Sequence, residues 1–192
     1  LSRTFTANLY NNGLSPDGAL AVCQTCNARS NDSSVLAIFD LQAETEISAC
    51  QHPCDWAQSY EFASDKKSVA LTYPTGERYI FGLDGSFWNR DVWTNNQLRK
   101  GNWFVGESVI DQAEGILPTN VRDLIVEGIG VELARPNNLP QNLARCHRVL
   151  GKLHDQAGDS LAALAQFDLA LALDPKVGIK RRADQLRKKL QS

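Results

Sequence analysis

From about Ala144 to Val177, small and large apolar residues recur at helical spacing, and this stretch constrains the fold more than any other. Leu143, Val149, Leu150 and Leu153 give one helix an apolar stripe, and Gly151 lets a neighbour come close where a Cβ would push it away. That helix should end at Gly158, with Asp159 as N-cap of a second helix and Pro175 as its stop. Leu161, Leu164, Phe167, Leu171 and Ala172 are the expected buried side of the second helix, and Ala163 and Ala170 clear a strip for the first.

Quoted in order, Leu150-Gly151, Gly158-Asp159, Ala163, Phe167, Ala170 and Pro175 resemble the tetratricopeptide repeat, over about a sixth of the chain. His147 and His154 stand where that family carries large aromatics, which makes this an atypical repeat. One repeat cannot bury both its faces, so neighbours are required. Val105 to Ile116 and Val121 to Ala134 can supply a preceding helix pair, the second loosened by Gly128 and Gly130. Downstream, Ile179, Ala183, Leu186 and Leu190 form one stripe on a charged helix, the form of a cap.

The N-terminal half reads as antiparallel strands. Phe5, Ala7 and Leu9 alternate with polar residues; Asn11-Asn12-Gly13 and Ser15-Pro16-Asp17-Gly18 are turn chemistry; Ala19 to Cys26, Val35 to Leu41 and Glu44 to Cys50 follow as strands. The plan recurs: Phe62-Ala63-Ser64-Asp65 echoes Leu14-Ser15-Pro16-Asp17, Val69 to Tyr73 answers Ala19 to Cys26, and Ile80-Phe81-Gly82-Leu83 answers Ile38-Phe39-Asp40-Leu41. A period of about 45 residues resembles the blades of WD-repeat β-propellers. With Asp55-Trp56-Ala57-Gln58-Ser59-Tyr60 between the repeats, the arrangement is similar to a group of bacterial proteins with blade-like strands ahead of a tetratricopeptide tail, a similarity that implies no activity. The expected fold is α+β: blade-like antiparallel meanders over residues 1–100, then a short tetratricopeptide-like helical array over 101–192, with Asp91 to Gly101 as the crossing. Phe5, Leu9, Phe39, Trp56, Phe62 and Phe81 are the expected core of the sheets.

The cysteines are the strongest chemical signal. Cys23 and Cys26, then Cys50 and Cys54, form two pairs separated by 23 residues, close to the spacing of a zinc ribbon, with His52 as a spare ligand. A meander would bring both pairs to one rim. Residues three apart on a regular strand nevertheless point to opposite faces, so sequence leaves three states open: a structural zinc site, packed free thiols, or a disulfide. Cys146 reads as core. His147 and His154, about 10 Å apart along a helix, are too far apart to hold one ion unaided.

Catalytic signatures are absent. Gly128-Ile129-Gly130 lacks the third glycine of a dinucleotide loop, and Ser64 to Lys67 spells S-x-x-K in a turn where the motif needs a helix. The expectation is a non-catalytic module that binds a protein or peptide. Its contact residues would be Asn142, Arg145, His147, Arg148 and His154 on the first repeat helix, with Lys180 and Arg187 on the cap. Two alternatives are an assembly module built on zinc and a binder of an acidic or nucleic-acid partner through the last helix.

Charge bears on that second alternative. Residues 176–192 hold seven Lys or Arg and one acid, so the tail is +6 and the remainder −8 in a chain of net charge −2. With no aromatics interleaved and an acidic body, nucleic acid is disfavoured. No run of 18 apolar residues exists and the N-terminus has no signal-peptide pattern, so the expected location is cytoplasmic, with no membrane partner. The chain starts at Leu1 and has no methionine, which suggests a piece of a longer protein. Asn31-Asp32-Ser33 would be a glycosylation site only in a secreted protein.

Overall fold

A computed structural model describes residues 2–27 and 34–191; the sequon at Asn31 lies outside them. Among the described residues the architecture is α+β, two open antiparallel sheets followed by six helices. The chain divides into two compact units, Leu1–Trp93 and Thr94–Ser192.

The first sheet is a four-stranded meander in the order β1 (Asn8–Leu14), β2 (Leu20–Cys26), β3 (Val35–Asp40), β4 (Thr45–Gln51). The second is β5 (Ser59–Phe62), β6 (Ser68–Thr72), β7 (Arg78–Gly82). The echoed motifs close equivalent turns. Gly18 N donates to Ser15 O and Ala19 N to the Asp17 carboxylate; Lys66 N donates to Ala63 O and Lys67 N to the Asp65 carboxylate.

Asn11-Asn12-Gly13 is strand, not turn. A bulge between Leu9 and Asn11 shifts the β1–β2 register, and the Asn11 amide donates to Ala57 O at 3.2 Å and Gln58 O at 3.1 Å, tying the edge of the first sheet to the entry of β5. Gly13 faces the Tyr60 ring, with 3.0 Å between a Cβ built there and that ring. These residues look like turn chemistry because they serve a contact with sequence far away.

Of the expected sheet core, Phe62 and Phe81 are buried, while Phe5 and Phe39 pack at the margin of a cluster of Cys23, Val35 and Ala37. Leu9 and Trp56 are exposed instead. Leu9 sits beside the edge-strand bulge. The Trp56 indole donates to Thr25 O at 3.2 Å, and its ring lies 5.4 Å from that of Tyr10.

Asp91 to Gly101 is not a plain crossing but mostly helix, α1 (Arg90–Arg99), which buries Trp93 and Leu98 despite having no apolar stripe. It is followed by α2 (Trp103–Gln112), α3 (Thr119–Leu133), α4 (Pro140–Gln156), α5 (Ser160–Leu173) and α6 (Lys180–Gln191). Gly128 of α3 does more than loosen its helix: the Leu98 carbonyl and Gly101 lie where its Cβ would be, whereas nothing lies within 4 Å of a Cβ at Gly130.

The α4–α5 junction follows the cap chemistry. Gly158 takes φ 82°, and the Asp159 carboxylate accepts from Ala162 N at 3.0 Å. Ala144, Ala163, Phe167, Ala170, Val177, Ile179, Ala183 and Leu186 form one core shared by α4, α5 and α6. The Phe167 ring lies directly on Gly151. The buried line of α5 is therefore Ala163, Phe167 and Ala170 with Leu164 and Leu171 beside it, while Leu161 and Ala172 face out. Small residues face α4 because a larger one would hold the helices apart.

Candidate functional site

Helices α2, α4 and α6 present one charged face. On α2, Glu107 and Asp111 are one turn apart, and on α4 Arg148 and Lys152 repeat that spacing. Packing the two helices joins the rows. Arg148 pairs with Glu107, and Lys152 reaches Glu107 at 2.7 Å and Asp111 at 2.8 Å. Burial alone would lower the Lys152 pKa, but its bonds to Asp111 and Glu107 outweigh this and hold it raised. The next turn of α4 carries Asp155, which takes both ends of the Arg182 guanidinium of α6, at 2.6 and 2.7 Å. Between the three helices lies an open depression of about 470 Å³ lined by Ile110, Phe167 and Ile179 together with Asp111, Lys152, Asp155, Gln156 and Arg182.

Most of the contact residues expected from sequence are already engaged. Arg148 also donates to Val177 O in the α5–α6 loop, so it braces three elements. The Arg145 guanidinium stacks over the Trp103 ring, 4.6 Å from its centroid. His147 Nδ1 meets Gln166 Oε1 of α5 at 2.8 Å. Arg187 pairs with Asp168 and Asp184. Asn142 and His154 are half-buried at opposite ends of α4, and Lys180 is exposed. Glu107, Asp111, Lys152, Asp155 and Arg182 escape a search for apolar stripes. The signal for them is the shared i,i+4 spacing of acids on α2 and bases on α4.

The thiols sit in different surroundings. On β2, Cys23 lies with Val35 and Ala37 on one face, while Gln24 on the other reaches Tyr60 of the second sheet; Cys26 shares the face of Gln24 by the strand's alternation. Cys50 Sγ approaches Gly85 O at 3.5 Å, and Cys54 lies beside the Tyr73 hydroxyl. Burial pushes the Cys54 thiol up to about 12. No disulfide joins the five cysteines, and among the described residues no three of His, Cys, Asp or Glu are grouped to hold one ion.

His52, the spare ligand expected from sequence, is committed elsewhere. The Gln24 side chain, fully buried, accepts from Ala57 N at 2.7 Å and from the Tyr60 hydroxyl at 2.8 Å through Oε1, so its Nε2 is the amide donor facing His52 Nε2 at 3.0 Å. The His52 Nε2 lone pair is thus occupied by an N–H.

No helix among the described residues is long and apolar enough to cross a membrane. No protein-family model matches this chain, and a search of curated proteins finds no match to it.

Proposed function

We propose that this chain is a non-catalytic interaction module that receives a protein or peptide partner on its helical unit. The observation that supports this is the face shared by α2, α4 and α6, where an open depression is lined by apolar residues and by charged groups held in position by their own ion pairs. Arrays of helix pairs use such faces to take up an extended segment or a helix, and the resemblance of α4 and α5 to a tetratricopeptide repeat points the same way. Because Lys152 and Asp155 already have partners, the charged lining contributes hydrogen bonds and shape more than net charge.

The test is a photo-crosslinking residue placed at Asp111, in that lining, and separately at the exposed Glu61 on β5. The same partner band should form from position 111 and not from position 61. Crosslinks from position 61 alone would move the interaction to the sheets and overturn the reading.

A further inference from the structure

The seven cations of residues 176–192 divide into two groups. Arg182 and Arg187 are bound to Asp155, Asp168 and Asp184, and Lys189 reaches the Ser160 hydroxyl. Lys176, Lys180, Arg181 and Lys188 are exposed, and among the described residues no acid pairs with them. Three of these four line a shallow concavity of about 570 Å³ with Asp184 and Gln185 on the outer face of α6. On the α2–α4–α6 face, by contrast, Arg148, Lys152 and Arg182 are all spent on carboxylates. Unbalanced positive charge therefore gathers on the outer side of the last helix.

We propose that this outer face of α6, through Lys180, Arg181 and Lys188 with Lys176 at its edge, binds an acidic polypeptide segment of the partner; the proposal rests on the interaction reading above. The first turn of α6 holds Lys180, Arg181 and Arg182 and no acid. Cations there oppose the positive end of the helix dipole, and a cap that needed only a polar surface would gain by carrying Glu or Ser. An anionic group over that turn relieves both the repulsion among the cations and their conflict with the dipole.

The spacing suits a short peptide. Lys180 and Lys188 lie about 12 Å apart along the helix, the reach of about four extended residues. Asp184 and Gln185 stand between them, which favours a segment whose acids flank a neutral or basic residue over the continuous charge of a phosphate backbone. The face carries no aromatic side chain on which a base could stack and no large apolar residue to enter a bilayer.

The test uses the full chain and a fluorescent peptide of alternating glutamate and alanine, with its glutamine counterpart, a single-stranded DNA and phosphatidylserine vesicles as comparators. The glutamate peptide should bind at low salt at least about 10-fold more tightly than the glutamine peptide and weaken as salt screens the contact. Combined Lys180→Glu, Arg181→Glu and Lys188→Glu should lower that affinity by about 10-fold or more with no loss of melting temperature, while Lys67→Glu on the sheet unit should leave the affinity unchanged. No binding at low salt, equal binding by the triple variant, or preference for DNA or vesicles would overturn the proposal. Salt-sensitive self-association abolished by the same triple variant would assign the face to a second copy, and also overturn it. If these fail while crosslinking from position 111 succeeds, the interaction reading stands without this surface.

Discussion

Gln24 Nε2 donates to His52 Nε2 across 3.0 Å, and the bond fixes which ring nitrogen of His52 carries the proton. The amide cannot turn over, because its oxygen already accepts from Ala57 N and Tyr60. His52 is therefore neutral with its proton on the buried Nδ1. Ring nitrogen shifts at pH 7 should report the Nδ1–H form; an Nε2–H form would contradict the bond.

A pH dependence of stability follows. Burial lowers the His52 pKa from 6.5 to about 4. Above 6.5 both folded and unfolded chains are neutral at this site and stability is complete. As pH falls from 6.5 to 4 the unfolded chain takes a proton that the folded chain refuses, so stability declines by about 3 kcal/mol and then levels off. Denaturant midpoints at pH 7 and 4.5 measure it. Gln24→Leu should cost about 2–4 kcal/mol at pH 7 by stripping the Ala57 N–H of its buried acceptor.

Glycines of α3 and α4 should respond in opposite directions. A Cβ at Gly151 meets the Phe167 ring, so Gly151→Ala should destabilise by about 1–3 kcal/mol. Nothing lies within 4 Å of a Cβ at Gly130, so Gly130→Ala should stabilise by up to about 1 kcal/mol through helix propensity alone. Urea midpoints with unchanged slopes would check both. A neutral Gly151→Ala would mean that α5 is free to slide away from α4.

What could be read from sequence was local. The turns at Ser15 and Ser64 repeat because an Asp carboxylate accepting a backbone N–H two residues on is a short-range device. The α4–α5 hairpin was legible through Gly158 and Asp159 for the same reason. The contacts of Asn11, Gln24 and Arg148 are not legible in this way because their partners lie 28 to 47 residues away and leave no periodic trace. Helix α1 reads as a crossing because its ten residues carry little apolar pattern, and only packing explains Leu98, whose side chain approaches Gly106 of α2. Of the contact residues read from sequence, Lys180 is exposed and has no ion pair among the described residues, while Arg145, His147, Arg148 and Arg187 hold helices together.

Thiol chemistry should separate the cysteines. Cys50 is only half-buried, whereas Cys23, Cys26, Cys54 and Cys146 are buried, and burial raises the thiol pKa of Cys146 to about 11. Titration of the native protein with an aromatic disulfide should show one faster equivalent, removed by Cys50→Ser, and four that appear only on unfolding. With Cys23 and Cys26 on opposite faces of β2 and His52 held by Gln24, a chelator should leave the melting temperature unchanged. Release of one zinc equivalent with a loss of several degrees would instead show Cys23, Cys26, Cys50 and Cys54 gathered around an ion.

Arg148 gives the sharpest test of the helical unit, because it joins α2 through Glu107, α4 through its own backbone and the α5–α6 loop through the Val177 carbonyl. Both charges are largely shielded, with side-chain exposures of 21% for Arg148 and 15% for Glu107. Glu107→Ala leaves Arg148 charged, partly desolvated and without its carboxylate, and should cost about 2–4 kcal/mol, whereas after Arg148→Ala Lys152 still holds Glu107 at 2.7 Å, so that variant should cost less, about 1–3 kcal/mol. The double variant should cost less than the sum, with a coupling of about 1–3 kcal/mol. Arg187→Ala, which breaks the more exposed pair with Asp168, should stay within about 1 kcal/mol of the parent. Charge reversal at Arg148 should therefore lower the melting temperature before it says anything about a partner, and additive single and double variants would show that Arg148 and Glu107 act independently.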